Sequence, residues 1–269
     1  MEQEVSANVN QIYKHEDRRI LLIGIPGSGK SAFGNNLLAA KDVFESKCSL
    51  SVVTRNVKCG IGKWREKQLI IYDTPGIHRK TQGSEVDPKN KFVKIMANLL
   101  LRLSPGFHIL AFVISLEKLS EDTLFLLEKL KDLFREELTK YVLVVFTKAD
   151  NLEKYQTIPS LIAETDKKIK DFVEKCDYVG INNKATDKEE MEKQLQSFFE
   201  KVEQKIARNN CGCYTYGDFK KSYMYELLQE ESAMIDIEET FVKVERLPLV
   251  QVGEQTRLET NLKSTCSIL

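Results

Sequence analysis

The chain has 269 residues, of which 42 % are hydrophobic and 30 % are charged, a composition that excludes disordered and collagen-like chains. Forty Lys plus Arg balance forty Asp plus Glu, so no global positive field attracts nucleic acid, and we expect no nucleic-acid partner. Without an apolar leader or a run of about 18 apolar residues, the chain is expected to be cytoplasmic, with free cysteine thiols apart from Cys266.

Short apolar runs alternate with helical patterns along most of the chain. The runs typical of strands buried on both faces lie at 19–25, 68–73, 108–115 and 141–147. Helical patterns lie at 30–40, 90–103, 121–134, 160–176 and 187–208, and a weaker strand is predicted at 178–182. This alternation predicts an α/β fold with a mostly parallel central sheet flanked by helices.

The alternation stops near residue 210, which suggests three segments. Residues 1–16 are a polar N-terminal leader, 17–210 form the main domain, and 211–269 form a C-terminal extension. Within the extension we predict a helix at 219–234, whereas the type of 241–252 stays open.

The strongest motif is an unbroken G-x-x-x-x-G-K-S between the first strand and the first helix. Its residues are Gly24, Ile25, Pro26, Gly27, Ser28, Gly29, Lys30 and Ser31, followed by Ala32. Glycines let backbone N–H groups and a helix N-terminus wrap a phosphate. Lys30 then reaches the β and γ phosphates, and Ser31 offers a hydroxyl to Mg²⁺. The alternative is a glycine-rich turn with a chance lysine, but the flanking strand and helix favour a P-loop.

A second motif, D-T-P-G, follows the buried run 68–73. At a strand end Asp73 is placed to hold Mg²⁺ through a water molecule, and the Gly76 N–H to approach a γ-phosphate. Alone this sequence is an ordinary turn. Together with the P-loop it predicts a sensor of nucleotide state.

A third motif, T-K-A-D, follows the strand at 141–147 and bears on the choice of base. It supplies Thr147, Lys148 and Asp150. A carboxylate only accepts hydrogen bonds, and guanine presents two adjacent donors where adenine does not. We therefore predict that a buried Asp150 selects guanine, although T-K-x-D alone is often a solvated loop.

Two further positions complete the predicted site. Thr54 lies between the first two motifs and is either a switch residue that adds a hydroxyl to Mg²⁺ or an ordinary strand residue. Asn182 and Asn183 follow the last strand and either close over the guanine or form a simple turn.

These motifs, in this order, carry a family resemblance. The quoted segments are GIPGSGKSAFGNNLL, SVVTRN, YDTPGI, FTKAD, GINNKA and the box LSPGFHIL at 103–110. From about 19 to 216 the chain resembles the AIG-type G domain of the immunity-associated (GIMAP) GTPases, relatives of septins and chloroplast-import receptor GTPases. The resemblance implies binding of GTP and GDP, which the motifs above combine with Mg²⁺. It also implies nucleotide-dependent formation of a homodimer or oligomer, and a helical extension that rests on the switch region.

The positions expected to support hydrolysis differ from those of Ras-like proteins. Ile77 stands where Ras-like proteins have a water-orienting glutamine. His78 either substitutes for it or is an exposed turn residue without a catalytic role. Some members of the family place an arginine where this chain has Lys118, which lacks the planar fork. We therefore expect slow turnover.

The C-terminal residues carry a separate signal. Cys266-Ser267-Ile268-Leu269 fits the C-a-a-X pattern, and a final leucine favours a geranylgeranyl group. One lipid with little basic support holds a membrane reversibly. The alternative is a coincidental cysteine four residues from the end.

Taken together, the sequence predicts a nucleotide-controlled, dimerising switch or scaffold with weak GTPase activity, anchored at the cytoplasmic face of a membrane. The alternatives are a non-hydrolysing GTP-dependent assembly module, favoured by Ile77 and Lys118, and a P-loop small-molecule kinase, against which Asp150 argues.

Overall fold

A twisted sheet forms the centre of the computed structural model, which describes residues 17–46, 57–78, 88–103, 105–117, 120–152, 157–165, 167–229 and 249–251. The strands are β1 (Asp17–Ile23), β2 (Lys58–Trp64), β3 (Lys67–Asp73), β4 (Ile109–Ser115), β5 (Val142–Thr147), β6 (Asp177–Ile181) and β7 (Leu249–Gln251). Their order is β6-β5-β4-β1-β3-β2-β7. The β2–β3 pair is antiparallel and the other pairs are parallel.

Helices cover both faces of this sheet. They are α1 (Lys30–Leu37), α2 (Pro88–Arg102), α3 (Glu121–Phe134), α4 (Leu138–Tyr141), α5 (Ile158–Glu164), α6 (Lys167–Lys175), α7 (Lys188–Arg208) and α8 (Tyr216–Gln229). Successive residues of β1 point to opposite faces: Leu21 packs in the layer that contains α2 and α3, and Leu22 packs in the layer that contains α1 and α7. The predicted α/β fold with a mostly parallel sheet is confirmed.

Three local features of the structure go beyond or differ from the sequence-based expectations. Strand β2 was not predicted, because Gly60, Gly62 and its lysines interrupt any apolar run. The single helix predicted at 160–176 is two helices, α5 and α6, because Thr165 is extended (ψ 172°) and ends the first. The segment of open type contains β7, which pairs with β2 at the edge of the sheet.

The described part of the C-terminal extension packs against the main domain. Tyr214 is buried in the core and forms an antiparallel bridge with Phe107. Helix α8 contacts α2 and α3. The domain boundary at residue 210 stays a prediction. In the part of the chain that the structure describes, no helix combines the length and apolarity needed to cross a bilayer.

Candidate functional site

The three motifs meet at one edge of the sheet. The P-loop follows β1, Asp73 ends β3 and Thr147 ends β5. The strand registers align these ends, since Leu22 lies opposite Asp73 and Ile181 lies opposite Thr147. The carboxyl ends of parallel strands are where ligands bind in open α/β sheets.

The P-loop ends at the N-terminus of α1. Gly29 caps this helix in the left-handed region (φ 88°) and offers no side chain to its first N–H groups. These N–H groups and the positive end of the helix dipole therefore suit an anion.

Lys30 lies inside the loop. Its side chain is buried, and Nζ donates a hydrogen bond to the Ile25 carbonyl oxygen at 2.9 Å. Burial lowers the pKa of Lys30 to about 8, against the opposing attraction of the Asp73 carboxylate. Its ammonium is thus held next to the loop backbone at neutral pH.

Asp73 and Ser31 form a pair of oxygen ligands. The Ser31 hydroxyl donates to Asp73 Oδ2 at 2.6 Å. Burial raises the pKa of Asp73, although the Ser31 hydrogen bond and the nearby Lys30 oppose the rise. Asp73 Oδ1 is buried and has no hydrogen-bond partner among the described residues. A hydroxyl beside a carboxylate with an uncompensated oxygen fits Mg²⁺, which prefers oxygen ligands.

The segment after Asp73 rests on the P-loop. The Ile77 N–H donates to the Gly24 carbonyl oxygen at 3.2 Å. Gly76 lies so close to Pro26 that a Cβ at this position would overlap the proline ring. The D-T-P-G turn is therefore packed directly against the P-loop.

Ile77 and His78, which were considered for hydrolysis, differ in their exposure to solvent. Ile77 is buried in the core. The His78 side chain is 42 % exposed, and its Nδ1 lies 3.6 Å from Asp122 Oδ2 on α3. Lys118 lies outside the described residues.

The base motif is fastened to the P-loop. The Thr147 hydroxyl donates to the Ser28 carbonyl oxygen at 2.6 Å. Asn183 Nδ2 donates to the Gly29 carbonyl oxygen at 3.2 Å, and Asn183 Oδ1 accepts a hydrogen bond from Asn36 at 3.1 Å. The loops after β5 and β6 are thus tied to the loop after β1.

Asn182 has a different environment from Asn183. Its Oδ1 accepts from the Lys184 N–H at 2.9 Å, and its own N–H donates to Gln194 Oε1 at 2.7 Å. The Asn182 side chain therefore closes its own turn, whereas Asn183 reaches the P-loop.

Asp150 was expected to be a buried acid, and this expectation is wrong. Its side chain is exposed, because it lies in the short 3₁₀ turn Ala149–Asn151 beyond the end of β5. A ligand must cover this carboxylate before the cost of an unpaired acid can discriminate between bases. Lys148 precedes the turn in a left-handed conformation (φ 58°) and pairs with Glu117.

Two further predicted residues, Thr54 and Cys266, lie outside the described residues. In contrast, Glu117, Asn36 and Gln194 contact the site residues and carried no motif signal. Asn36 follows Asn35 inside α1, and two successive poor helix formers in a helix are the one local hint of a role there.

Comparison with known proteins identifies the class of fold and the family. The chain superposes on Toc33 from Arabidopsis thaliana in complex with GDP and Mg²⁺ with a TM-score of 0.53 and 16 % identity, covering 77 % of this chain and 91 % of Toc33. The fold is that of a P-loop GTPase G domain. The sequence profile of the AIG1 family matches residues 18–238. The chain therefore belongs to the AIG1 family, and the predicted family is confirmed.

Two relatives illustrate the range of the family. Immune-associated nucleotide-binding protein 9 of Arabidopsis thaliana is 29 % identical over 220 residues, which are 80 % of this chain and 61 % of the relative. GTPase IMAP family member 8 of Rattus norvegicus is 31 % identical over 202 residues, 73 % of this chain and 28 % of the relative. The chain thus spans less than two thirds of the length of either relative.

Proposed function

We propose that this protein binds GTP and GDP together with Mg²⁺ and that the bound nucleotide controls its self-association. The observation that carries the proposal is the buried Asp73 carboxylate, which accepts from Ser31 and whose second oxygen has no hydrogen-bond partner within the described part of the chain. A buried charge is costly unless it is paired or binds a metal ion. A water molecule in the shell of an Mg²⁺ ion at this position would supply the missing partner.

The phosphates are held by the P-loop N–H groups and by Lys30. The ammonium of Lys30 exchanges its hydrogen bond with the Ile25 carbonyl for phosphate oxygens. Ser31 would ligate Mg²⁺, Asp73 would hold it through water, and Thr54 would add a hydroxyl when a γ-phosphate is present. The ion would supply positive charge against the β and γ phosphates.

Guanine is selected by Asp150, with Lys148 alongside. The Asp150 carboxylate accepts hydrogen bonds from N1–H and the exocyclic amine of guanine. Because adenine lacks this donor pair, it would cover the acid without satisfying it. The Thr147–Ser28 hydrogen bond supports the proposal, since it holds this motif at the P-loop. Asn183 approaches the same loop from the far side.

Hydrolysis is expected to be slow. A buried Ile77 cannot hold a water molecule by hydrogen bonding, and His78 is exposed, with its Nδ1 3.6 Å from Asp122 Oδ2. Toc33, which has this fold, is described as a protein whose dimerisation is important for GTPase activity. We infer that a second copy docks on the loops around Gly76 and raises the rate modestly. The burial of Ile77 also favours the second candidate, a non-hydrolysing assembly module.

Binding calorimetry tests the nucleotide proposal. GDP and GTP are expected to bind in the presence of Mg²⁺, to lose affinity in EDTA, and to resist competition by ADP or ATP. Displacement by ATP would favour the kinase alternative. Absence of heat with either guanine nucleotide would overturn the proposal.

Turnover and assembly are tested together. Gel filtration with GDP and with a non-hydrolysable GTP analogue is expected to show the larger species only with the analogue. Single-turnover hydrolysis at rising protein concentration separates the two candidates, since an assembly module shows no rate at any concentration. His78→Ala is expected to change the rate by less than about threefold, because the exposed imidazole lies near Asp122 and its geometry does not identify it as a base.

Membrane attachment is proposed through Cys266. A geranylgeranyl group on this thiol adds the mass of one lipid to the native protein, which mass spectrometry detects. Cys266→Ser should then release the protein from the membrane fraction. An unmodified thiol in the native protein would contradict lipidation and leave nucleotide binding unaffected.

A further inference from the structure

We infer that Glu117 is a positioning residue for base recognition: its carboxylate holds Lys148 and Asn151 on either side of Asp150 and so sets the direction of that acid. This inference rests on the proposed function. The ligand is the guanine nucleotide, and Glu117 controls the discrimination among purine bases.

The first observation is a two-sided contact. One oxygen of Glu117 pairs with Lys148 Nζ, and the other accepts from Asn151 Nδ2 at 3.1 Å. Lys148 precedes Asp150 by two residues, and Asn151 follows it directly. A single carboxylate from the loop after β4 therefore spans the turn that carries the base-reading acid.

The second observation is the backbone of that turn. Lys148 adopts the left-handed region (φ 58°), which is unfavourable for a residue with a Cβ. The Asn151 N–H closes the turn on the Lys148 carbonyl oxygen at 3.0 Å. A strained turn persists only when its surroundings hold it, and the Glu117 contacts are such a restraint from a neighbouring strand.

The two loops are also joined through their backbones. The Leu116 N–H donates to the Thr147 carbonyl oxygen at 3.1 Å. This bond places Glu117 beside Lys148 irrespective of its side chain. Replacing the Glu117 side chain therefore removes the clamp and leaves the path of both loops in place.

The charges favour a geometric role over a stabilising one. Lys148 lowers the pKa of Glu117, so the group is an acceptor-only carboxylate at neutral pH. The Glu117 side chain is 50 % exposed, and exposed ion pairs contribute little to folding. Loss of the clamp is thus expected to alter recognition by Asp150 more than it alters the stability of the protein.

The readout is the preference for GDP over IDP. Inosine lacks the exocyclic amine of guanine but keeps N1–H, so the ratio of the two affinities reports the second hydrogen bond made by Asp150. Glu117→Ala in the full chain is expected to lower this ratio by about three- to tenfold, mainly through weaker GDP binding. Glu117→Gln keeps an acceptor and should lie between wild type and Glu117→Ala.

Glu128→Ala is the matched control. Glu128 is also an exposed carboxylate paired with a lysine, since it lies 2.6 Å from Lys168 Nζ, but this pair joins α3 to α6. The GDP-to-IDP ratio of Glu128→Ala should equal that of wild type. Thermal melting of the nucleotide-free variants checks folding, and if Glu117→Ala does not fold, Glu117→Gln and Asn151→Ala decide.

The outcomes separate this inference from the function on which it rests. Suppose that wild type binds GDP selectively and that Glu117→Ala has the same GDP-to-IDP ratio, whether or not both affinities change by an equal factor. Glu117 then does not position Asp150. If wild type binds no GDP, or binds ADP as well as GDP, the proposed function itself fails.

Discussion

Thr147 donates its hydroxyl hydrogen to the Ser28 carbonyl oxygen at 2.6 Å, and both residues are buried. The contact joins the first residue of the T-K-A-D motif to the middle of the P-loop. In the proposed function, recognition of base and recognition of phosphate therefore share this connection across the sheet edge. Asn183 adds a second connection through the Gly29 carbonyl oxygen.

Thr147→Val tests this connection. Valine has nearly the shape of threonine but leaves the buried Ser28 carbonyl without its donor, which costs about 1–3 kcal/mol in the free energy of unfolding. GDP affinity should fall severalfold, because both halves of the site lose their common support. Urea denaturation and calorimetry measure the two effects.

Thr186→Val is the control for this substitution. Thr186 is exposed, on the segment before α7, so its replacement should change the free energy of unfolding by at most about 0.5 kcal/mol. Equal effects of the two valine variants would mean that the Thr147–Ser28 bond supports neither the fold nor the site.

Asp73→Asn should separate stability from metal binding. The amide still accepts the Ser31 hydrogen bond, while the buried charge and its uncompensated oxygen are removed. We expect the nucleotide-free variant to be as stable as wild type or more stable, by up to about 1 kcal/mol. In contrast, Mg²⁺ should no longer strengthen GDP binding, a loss of about tenfold in affinity.

Titrations of GDP with Mg²⁺ and with EDTA, together with denaturation of the apo protein, check both halves. Ser31→Ala removes the other oxygen ligand and should weaken the Mg²⁺ effect similarly. An Asp73→Asn variant that retains the full effect of Mg²⁺ would show that Asp73 is not part of the metal site.

The sheet was largely predictable because its central strands are continuous apolar runs. Strands β4 and β5 are buried along their whole length, and no polar residue interrupts the run before Ser115 or Thr147. Strand β2 was not predictable, because its own residues form no apolar run. It is defined by its antiparallel pairing with β3. The pairing of β7 depends on a three-residue contact distant in sequence.

The site was predictable to the level of its motifs, because strand ends meet at one edge of a parallel sheet. The contacts between loops were not. Glu117 on Lys148, Asn36 on Asn183 and Gln194 on Asn182 join residues at separations that follow no spacing rule. The exposure of Asp150 was missed for a related reason, since the length of the turn after β5 sets it.

Deprotonation of Lys30 should weaken nucleotide binding at alkaline pH. Its pKa of about 8 in the nucleotide-free protein means that the ammonium loses its proton above that pH, and phosphate anions restore it. GDP affinity is therefore expected to fall as pH rises through about 8, with uptake of up to about one proton per GDP at pH ~9. Calorimetry in two buffers of different ionisation enthalpy measures this uptake.

The lowered pKa of Lys30 also determines how the free energy of unfolding changes with pH. The ordinary pKa of lysine is 10.5, so between the two values the unfolded chain binds more protons than the folded chain. The contribution of Lys30 to the free energy of unfolding thus increases with pH across this interval. Lys30→Arg stays charged and should bind GDP without proton uptake; uptake that persists in this variant would assign the proton to another group.

Gly106→Ala should loosen the C-terminal extension. Gly106 has φ 134°, and a Cβ there would overlap the Tyr214 carbonyl oxygen. That oxygen accepts from the Phe107 N–H at 3.1 Å, and the Tyr214 N–H donates back to the Phe107 carbonyl oxygen at 2.8 Å. Strain and overlap together should lower the free energy of unfolding by about 2–4 kcal/mol and expose the chain near residue 211 to proteolysis.

Gly217→Ala distinguishes this contact from a general effect of removing glycine. A Cβ at Gly217 meets the Thr215 hydroxyl oxygen at 3.5 Å, an ordinary contact, and alanine favours the first turn of α8 by up to about 1 kcal/mol. The control should therefore be neutral or stabilising in urea denaturation. If Gly106→Ala were equally harmless, the box at 103–110 would not hold the extension, and α8 would have to be retained by its contacts with α2 and α3 alone.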